Sequence, residues 1–289
     1  MTFGRPAGGV LDQGTGRRFD HRFDHRTLDQ LSIEDERSFR HVGLYGDLKQ
    51  VLRRAGFRFR VLPAQSRASW DRALFLNLTY WRPDDGGDVL VDDSIPADVV
   101  AHVAWHHLAA AALGEGSAAA PSVESLFMGE AIASAFDLYL VGRLLGHAPE
   151  SSFLETQVPA MKEVAEAAGL DEDAFAVLLE GVARDPERAF AELRALLFDA
   201  STALYASADA EAALGALTRL DGHRFAPLLH RYELSNWILY ARAHGREPNR
   251  DTSTSTSART RTLDQCLRDT GDPLGWLARE WVAPALLPC

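Results

Sequence analysis

Two apolar, alanine-rich stretches constrain the fold of this chain more than any other feature. The first reads ADVVAHVAWHHLAAAAL (Ala97 to Leu113) and the second reads MGEAIASAFD (Met128 to Asp137). Both suit buried helices, yet they carry three histidines and two carboxylates, and ionisable side chains are seldom buried without a partner. We therefore expect these polar residues to meet one another inside the protein.

Helical spacing places the polar residues on shared faces. With 3.6 residues per turn, His102 and His106 project from one face of the first helix. Glu130 and Asp137 share a face of the second helix, because seven residues return to almost the same direction. Two imidazoles and one carboxylate can bind one cation. The sequence therefore predicts that His102, His106 and Glu130 are metal ligands.

Two further residues are expected to support these ligands. Asp137 is predicted to orient a ligand imidazole through its second ring nitrogen, or to act as a fourth ligand. His107 points about 100° away from His106, so we expect it to lie behind the ligands or to face a substrate. The alternative interpretation is that the histidines are core residues hydrogen-bonded to their neighbours and that Asp137 is a polar break on a helix face.

The pattern resembles the gluzincin branch of the zinc metallopeptidases over residues 88–137. In that family HExxH supplies two histidine ligands and a glutamate on a following helix supplies the third. The corresponding string here is HVAWH (His102 to His106), followed by Glu130. The resemblance implies zinc as the cofactor and a small sheet before the histidine helix.

This chain departs from the family at one position that matters for chemistry. The general-base glutamate of the family falls on Val103, which cannot accept a proton from a metal-bound water. Unless Glu115, Glu124 or His107 supplies a base, ordinary peptide cleavage is therefore expected to be slow or absent. The resemblance also implies that a His or Tyr of the late helix 225–244 could stabilise an oxyanion, although an ordinary amphipathic face explains those residues as well.

Three functions stay open from the sequence. The first is a metal-binding protein with a gluzincin-like scaffold that lacks the catalytic glutamate, and zinc is the expected metal, with iron as the alternative. The second is a non-hydrolytic metalloenzyme, because two histidines and one carboxylate also hold non-haem iron. The third is a metal-free helical binding or scaffold protein. Its ligand would be a peptide, a protein or a small molecule.

Composition narrows the class of protein further. The chain has 289 residues, a formal net charge of -11 and a pI near 5.4, which argue against nucleic-acid or anionic-membrane partners. Its two cysteines, Cys266 and Cys289, fit a reducing cytoplasm. The N-terminus has no apolar signal region, and we find no clean apolar run of about 18 residues. We expect a soluble, cytoplasmic protein.

The order of patterns predicts an α+β, mainly α-helical chain. A mobile segment (1–30) is followed by a zincin-like region (31–148) and a C-terminal helical region (149–289). The first region begins with a helix over 32–55, ended by Gly56, and a small sheet over 57–91 with strands at 57–61, 73–81 and 88–91. Further helices are expected at 123–145, 159–168, 171–183, 186–206, 208–220 and 225–244. The low-complexity segment 246–262 is expected to be a flexible loop.

Overall fold

A computed structural model describes residues 23–64, 89–114, 121–245 and 253–287 of the chain, and all structural statements concern these residues. They are mainly helical, with two small sheets near the N-terminal end, so the predicted fold class is confirmed. One hydrophobic core runs through the helices and the sheets.

The strands are short and precede the long helices. They are β1 (Asp24–Thr27), β2 (Ser32–Glu34), β3 (Arg58–Val61), β4 (Val89–Leu90) and β5 (Ser94–Pro96). The helices are α1 (Glu36–Phe39), α2 (Tyr45–Arg54), α3 (Ala97–Leu113), α4 (Val123–His147), α5 (Ser152–Ala167), α6 (Glu172–Arg184), α7 (Pro186–Tyr205), α8 (Ala210–Thr218), α9 (Arg231–His244), α10 (Ser253–Asp269), α11 (Pro273–Leu277) and α12 (Ala283–Ala285). Two 3-10 turns (Leu28–Gln30 and Ala226–Leu228) and a π-helical turn (Ala278–Val282) join them.

The first sheet has the order β1-β3-β4. β3 pairs antiparallel with β1, with Asp24 opposite Val61, and parallel with β4. The second sheet is the parallel pair of β2 and β5, with Ile33 opposite Ile95. β3 and β4 confirm the predicted strands at 57–61 and 88–91, whereas the predicted strand at 73–81 lies outside the described residues. The expectation of a mobile segment is wrong for residues 24–30, because β1 pairs with β3.

The continuous helix predicted over 32–55 is also wrong. Residues 32–34 form β2, and the remainder is divided into α1 and α2. Asp35 and Leu44 both adopt left-handed backbone conformations, with φ of 53° and 70°, so the helical path cannot continue through them. Gly56 does follow the end of α2 with a φ of 58°, the conformation in which glycine ends helices most readily.

Helix α4 is the centre of the helical part. It packs against α3, α6, α7 and α10, and it continues past Gly146 to His147. Gly142 permits the close approach of α6, since a Cβ at that position would lie 2.6 Å from the carbonyl oxygen of Val182. By length and composition α4 could cross a membrane, but 83% of its most apolar window is buried in the fold, as in the core helix of a soluble protein.

The C-terminal region is helical as predicted, with shifted bounds. α5 begins at Ser152 and contains Pro159, which the sequence had suggested as its start. The predicted flexible loop is wrong for residues 253–262, which belong to α10. Ser257 and Thr260 are buried there, and the Ser257 hydroxyl donates a hydrogen bond to Glu124 on α4 at 2.7 Å. Tertiary contacts therefore order a segment whose composition is typical of a loop.

Candidate metal centre

Three predicted ligands come together between α3 and α4. The donor atoms of His102, His106 and Glu130 all lie within 4.8 Å of one another. His106 Nε2 lies 3.2 Å from His102 Nε2 and 3.6 Å from a carboxylate oxygen of Glu130. The side chains are partly buried, with 28%, 12% and 22% of their surface exposed in the same order. The three groups therefore face one shared space near the surface.

Small residues allow the two helices to approach closely enough for this. Ala101, Ala104 and Ala109 of α3 are buried, as are Ala131 and Ala133 of α4. Alanine favours the helical backbone and keeps the helix surface narrow. A four-residue spacing then stacks the two imidazoles on one face of α3, with ring centroids 4.9 Å apart.

Asp137 fixes the orientation of the first imidazole. His102 Nδ1 lies 2.9 Å from Asp137 Oδ2, which is a strong hydrogen-bond distance. When His102 is neutral, this bond holds the ring proton on Nδ1 and leaves the lone pair on Nε2, the atom that faces His106. The structure thus brings Asp137 to the position expected of a residue that orients a metal ligand. The other oxygen of Asp137, Oδ1, is buried and has no hydrogen-bond partner.

The distances between donor atoms suit a small cation. Two nitrogens at about 2.0 to 2.1 Å from a tetrahedral zinc ion lie about 3.3 Å apart, close to the 3.2 Å between the two Nε2 atoms. The 3.6 Å between Glu130 and His106 needs only a small change of the Glu130 side chain to close on the same ion. Without an ion, one ring can donate its Nε2 proton to the other.

The surroundings of His106 favour the neutral form of its ring, which is the form that binds metals. Burial, with a smaller contribution from the neighbouring His102, holds the pKa of His106 well below its usual range. The ring is therefore neutral at neutral pH and offers a nitrogen lone pair, as metal binding requires.

Two carboxylates that were not predicted as site residues lie near His102. Burial, followed by the effect of Asp137, raises the pKa of Asp98 to about 6, and His102 interacts with it as well. Burial raises the pKa of Glu233 on α9, and the nearby His230, Asp137 and His102 also affect it. The Glu233 side chain is exposed to solvent, but enough protein surrounds its carboxyl group to disfavour the charged form.

The sequence carried a signal for one of these two residues. Asp98, His102 and His106 are spaced four apart, so Asp98 belongs to the same face of α3. No local pattern identifies Glu233, because its position depends on how α9 packs against α4.

Other residues considered from the sequence lie apart from the centre. His107 packs edge-on against Phe57 with ring centroids 5.8 Å apart, and burial lowers its pKa. Glu124, a possible alternative base, accepts a hydrogen bond from the Ser257 hydroxyl and forms an ion pair with Arg261. Val103 is 4% exposed and belongs to the hydrophobic core. The position of the family's general base is therefore occupied by a core side chain.

Comparisons with known proteins found no match. No family profile, no curated protein and no solved structure matches the chain. The functional argument consequently rests on the geometry of the centre.

Proposed function

We propose that this protein binds one divalent transition-metal ion, with zinc as the preferred metal, through His102, His106 and Glu130. The observation that carries the proposal is the convergence of the three donor groups, with the two Nε2 atoms 3.2 Å apart. The hydrogen bond from His102 to Asp137 supports it, because histidine ligands of metals usually donate their second ring proton to a carboxylate or carbonyl.

The balance of charge around the centre supports the same proposal. Asp98, Asp137 and Glu233 all interact electrostatically with His102. Among the described residues, none of them forms a salt bridge with a lysine or arginine. Carboxylates that crowd together without a cation disfavour one another's charged forms, and a divalent cation relieves that repulsion. The neutral His106 imidazole cannot do so.

The proposed activity does not include ordinary peptide hydrolysis. A metal lowers the pKa of a bound water, but a neighbouring base contributes a further factor of about 100 to 10,000 by accepting and returning the proton. Val103 cannot do this, His107 and Glu124 are engaged elsewhere, and Glu115 lies outside the described residues. We therefore expect the zinc-loaded protein to show no chelator-sensitive cleavage of generic peptides in a fluorogenic assay. Chelator-sensitive cleavage that persists through purification would contradict this.

Element analysis of protein purified without chelator tests the proposal directly. Zinc near one ion per chain, lost in His102→Ala and His106→Ala, is the expected result. Iron at the same stoichiometry would favour the non-haem alternative, which uses the same two histidines and one carboxylate. A wild-type protein that takes up neither metal, even after incubation with the free ions, would leave a metal-free helical binding protein as the better interpretation.

A further inference from the structure

A cavity of about 590 Å³ lies between α7, the C-terminal end of α10, the start of α11 and the turn 220–223 that follows α8. Small-molecule pockets in proteins typically span about 300 to 1,000 Å³. Arg219 and Gly222 on its wall are exposed to solvent, so the cavity opens to the surface. None of its lining residues belongs to the candidate metal centre. The cavity is therefore a separate space that is large and open enough for a small molecule.

Part of the cavity wall is apolar. The wall includes Leu196 of α7, Leu220, Leu267 of α10 and Pro273 of α11. Leu196 and Leu267 also belong to the hydrophobic core, with 3% and 1% of their surface exposed. Such a wall stabilises an apolar ligand body by removing it from water. A bare inorganic ion would leave these side chains in contact with water, so the wall favours an organic ligand.

The two carboxylates on the wall are already paired with arginines. Glu192 accepts a hydrogen bond from Arg188 Nε at 2.7 Å on one oxygen and one from Arg224 on the other. Asp199 accepts hydrogen bonds from two nitrogens of Arg268, at 2.7 and 3.2 Å, one on each oxygen. A cationic ligand would have to compete with these charge-assisted hydrogen bonds. The carboxylates therefore disfavour a cation in the cavity.

Arg219 and His223 provide donors on the same wall. Among the described residues, no carboxylate forms a salt bridge with Arg219. His223 Nδ1 accepts a hydrogen bond from the Phe225 backbone N–H at 3.2 Å, and burial lowers the pKa of the ring. The neutral ring therefore carries its proton on Nε2 and can donate it. A guanidinium and an imidazole N–H together suit an anionic oxygen group.

From this arrangement we infer that the cavity is a second binding site, which takes a small organic acid with a carboxylate or phosphate ester group on an apolar body. Arg219 binds the anionic group, and the apolar side chains contact the body. This site is independent of the proposed metal centre and requires no metal.

Competition with a fluorescent dye tests the chemical class of the ligand. Anilinonaphthalene sulfonate combines an anionic group with an apolar body and reports occupancy of the cavity in the full-length protein, kept in chelator. Octanoate or octyl phosphate should displace the dye, and the tighter of the two identifies the anionic group. Octanol and octylamine should need at least about tenfold higher concentrations, because they lack that group. Displacement by octanol as effective as by the tighter acid, or by neither acid, would overturn the proposal.

Two substitutions that remove the same charge test the role of Arg219. We expect Arg219→Gln to weaken binding of the tighter acid roughly tenfold. The matched control Arg40→Gln removes an exposed arginine between α1 and α2 and should leave the affinity unchanged. Both positions are exposed, so both variants should fold. Wild-type affinity in Arg219→Gln would contradict the proposal and leave Arg219 as a residue that stabilises the C-terminal end of α8.

A third variant tests the cavity itself. Ala195 of α7 is partly buried and lines the cavity, so Ala195→Trp would fill the space with an indole. We expect this variant to lose binding of both the dye and the acid. Wild-type affinity for the acid in a folded Ala195→Trp protein would place the ligand elsewhere and overturn the proposal. If Ala195→Trp does not fold, the comparison of Arg219→Gln with Arg40→Gln decides.

Discussion

Two polar clusters flank α4, and they differ in how their charges are balanced. At the candidate metal centre, several carboxylates surround two imidazoles. On the opposite side, Arg194 and Arg268 meet Asp264 and Asp199: Arg194 Nη1 lies 2.6 Å from Asp264, and Arg268 lies 2.8 Å from Asp264 and 2.7 Å from Asp199. The second cluster holds two cations and two anions, so its own side chains neutralise it. Under the proposed function, the first cluster takes up an ion from solution, whereas the second needs none.

Removal of Arg194 should have the largest effect, and it should not depend on metal. Arg194 is 1% exposed, and its Nη1 also lies 3.7 Å from the Met128 sulfur. Replacing one partner of a buried ion pair typically costs about 3 to 5 kcal/mol. Because Arg268 still pairs with Asp264 in the variant, we expect a loss at the lower end of this range. Arg194→Met should therefore lower the free energy of unfolding by about 3 kcal/mol. Urea denaturation with and without chelator measures this.

A control on the same helix is available for that experiment. Arg188 pairs with Glu192 four residues along α7, but 69% of its side chain is exposed. Arg188→Met should leave the free energy of unfolding close to that of the wild type, because exposed ion pairs contribute little to stability. A loss in Arg194→Met that disappears on addition of zinc would mean that the two clusters are not independent.

The second expected effect is stabilisation by zinc through the metal centre alone. A ligand at 100 times its dissociation constant stabilises the folded state by about 2.7 kcal/mol. The wild type and Arg194→Met should both gain this much, whereas His106→Ala should gain nothing. The midpoint of thermal or urea unfolding, measured at matched free zinc concentrations, distinguishes the variants. An equal gain in His106→Ala would place the bound zinc elsewhere.

The smallest effect concerns Asp98 and the pH dependence of the metal-free protein. Burial, followed by the effect of Asp137, raises its pKa from 3.8 to about 6, so the folded state binds more protons than the unfolded state between these values. The free energy of unfolding should therefore fall as pH rises from about 4 to about 6, and Asp98→Asn should remove roughly 1 to 2 kcal/mol of that fall. Urea titrations of both proteins at pH 4.5 and pH 7.5, in chelator, provide the comparison. Parallel pH profiles would exclude Asp98 as the source of the pH dependence.

The parts of the fold that depend on local periodicity could be predicted from the sequence. The spacing of His102 and His106, and of Glu130 and Asp137, gave the facing sides of α3 and α4 because both are regular helices. The break at Leu44 could not be predicted, since a non-glycine residue with positive φ is determined by its surroundings. The pairing of β1 with β3 depends on residues more than thirty positions apart in sequence.

The placement of Glu233 has a similar explanation. It lies in the first turn of α9, and its position depends on how that helix packs against α4, so composition and spacing give no sign of its electrostatic interaction with His102 and Asp137. Val103 shows the opposite case. We predicted its lack of a proton-accepting group from its chemical identity, but only the fold shows that it is a core residue. A Val103→Glu substitution would therefore bury an unpaired carboxylate before it could restore a base.

The central position of α4 also limits how far its sequence can vary. Buried residues occur on every side of this helix, which contacts seven other helices and contributes to both polar clusters through Met128 and Glu130. A helix with one solvent-facing side can accept neutral substitutions there, whereas α4 offers only scattered positions. We expect saturation mutagenesis to find residues 123–145 the least tolerant long helix of the protein. Variants that drift in sequence should therefore differ first in the exposed faces of the peripheral helices, while this one helix keeps its packing and Glu130.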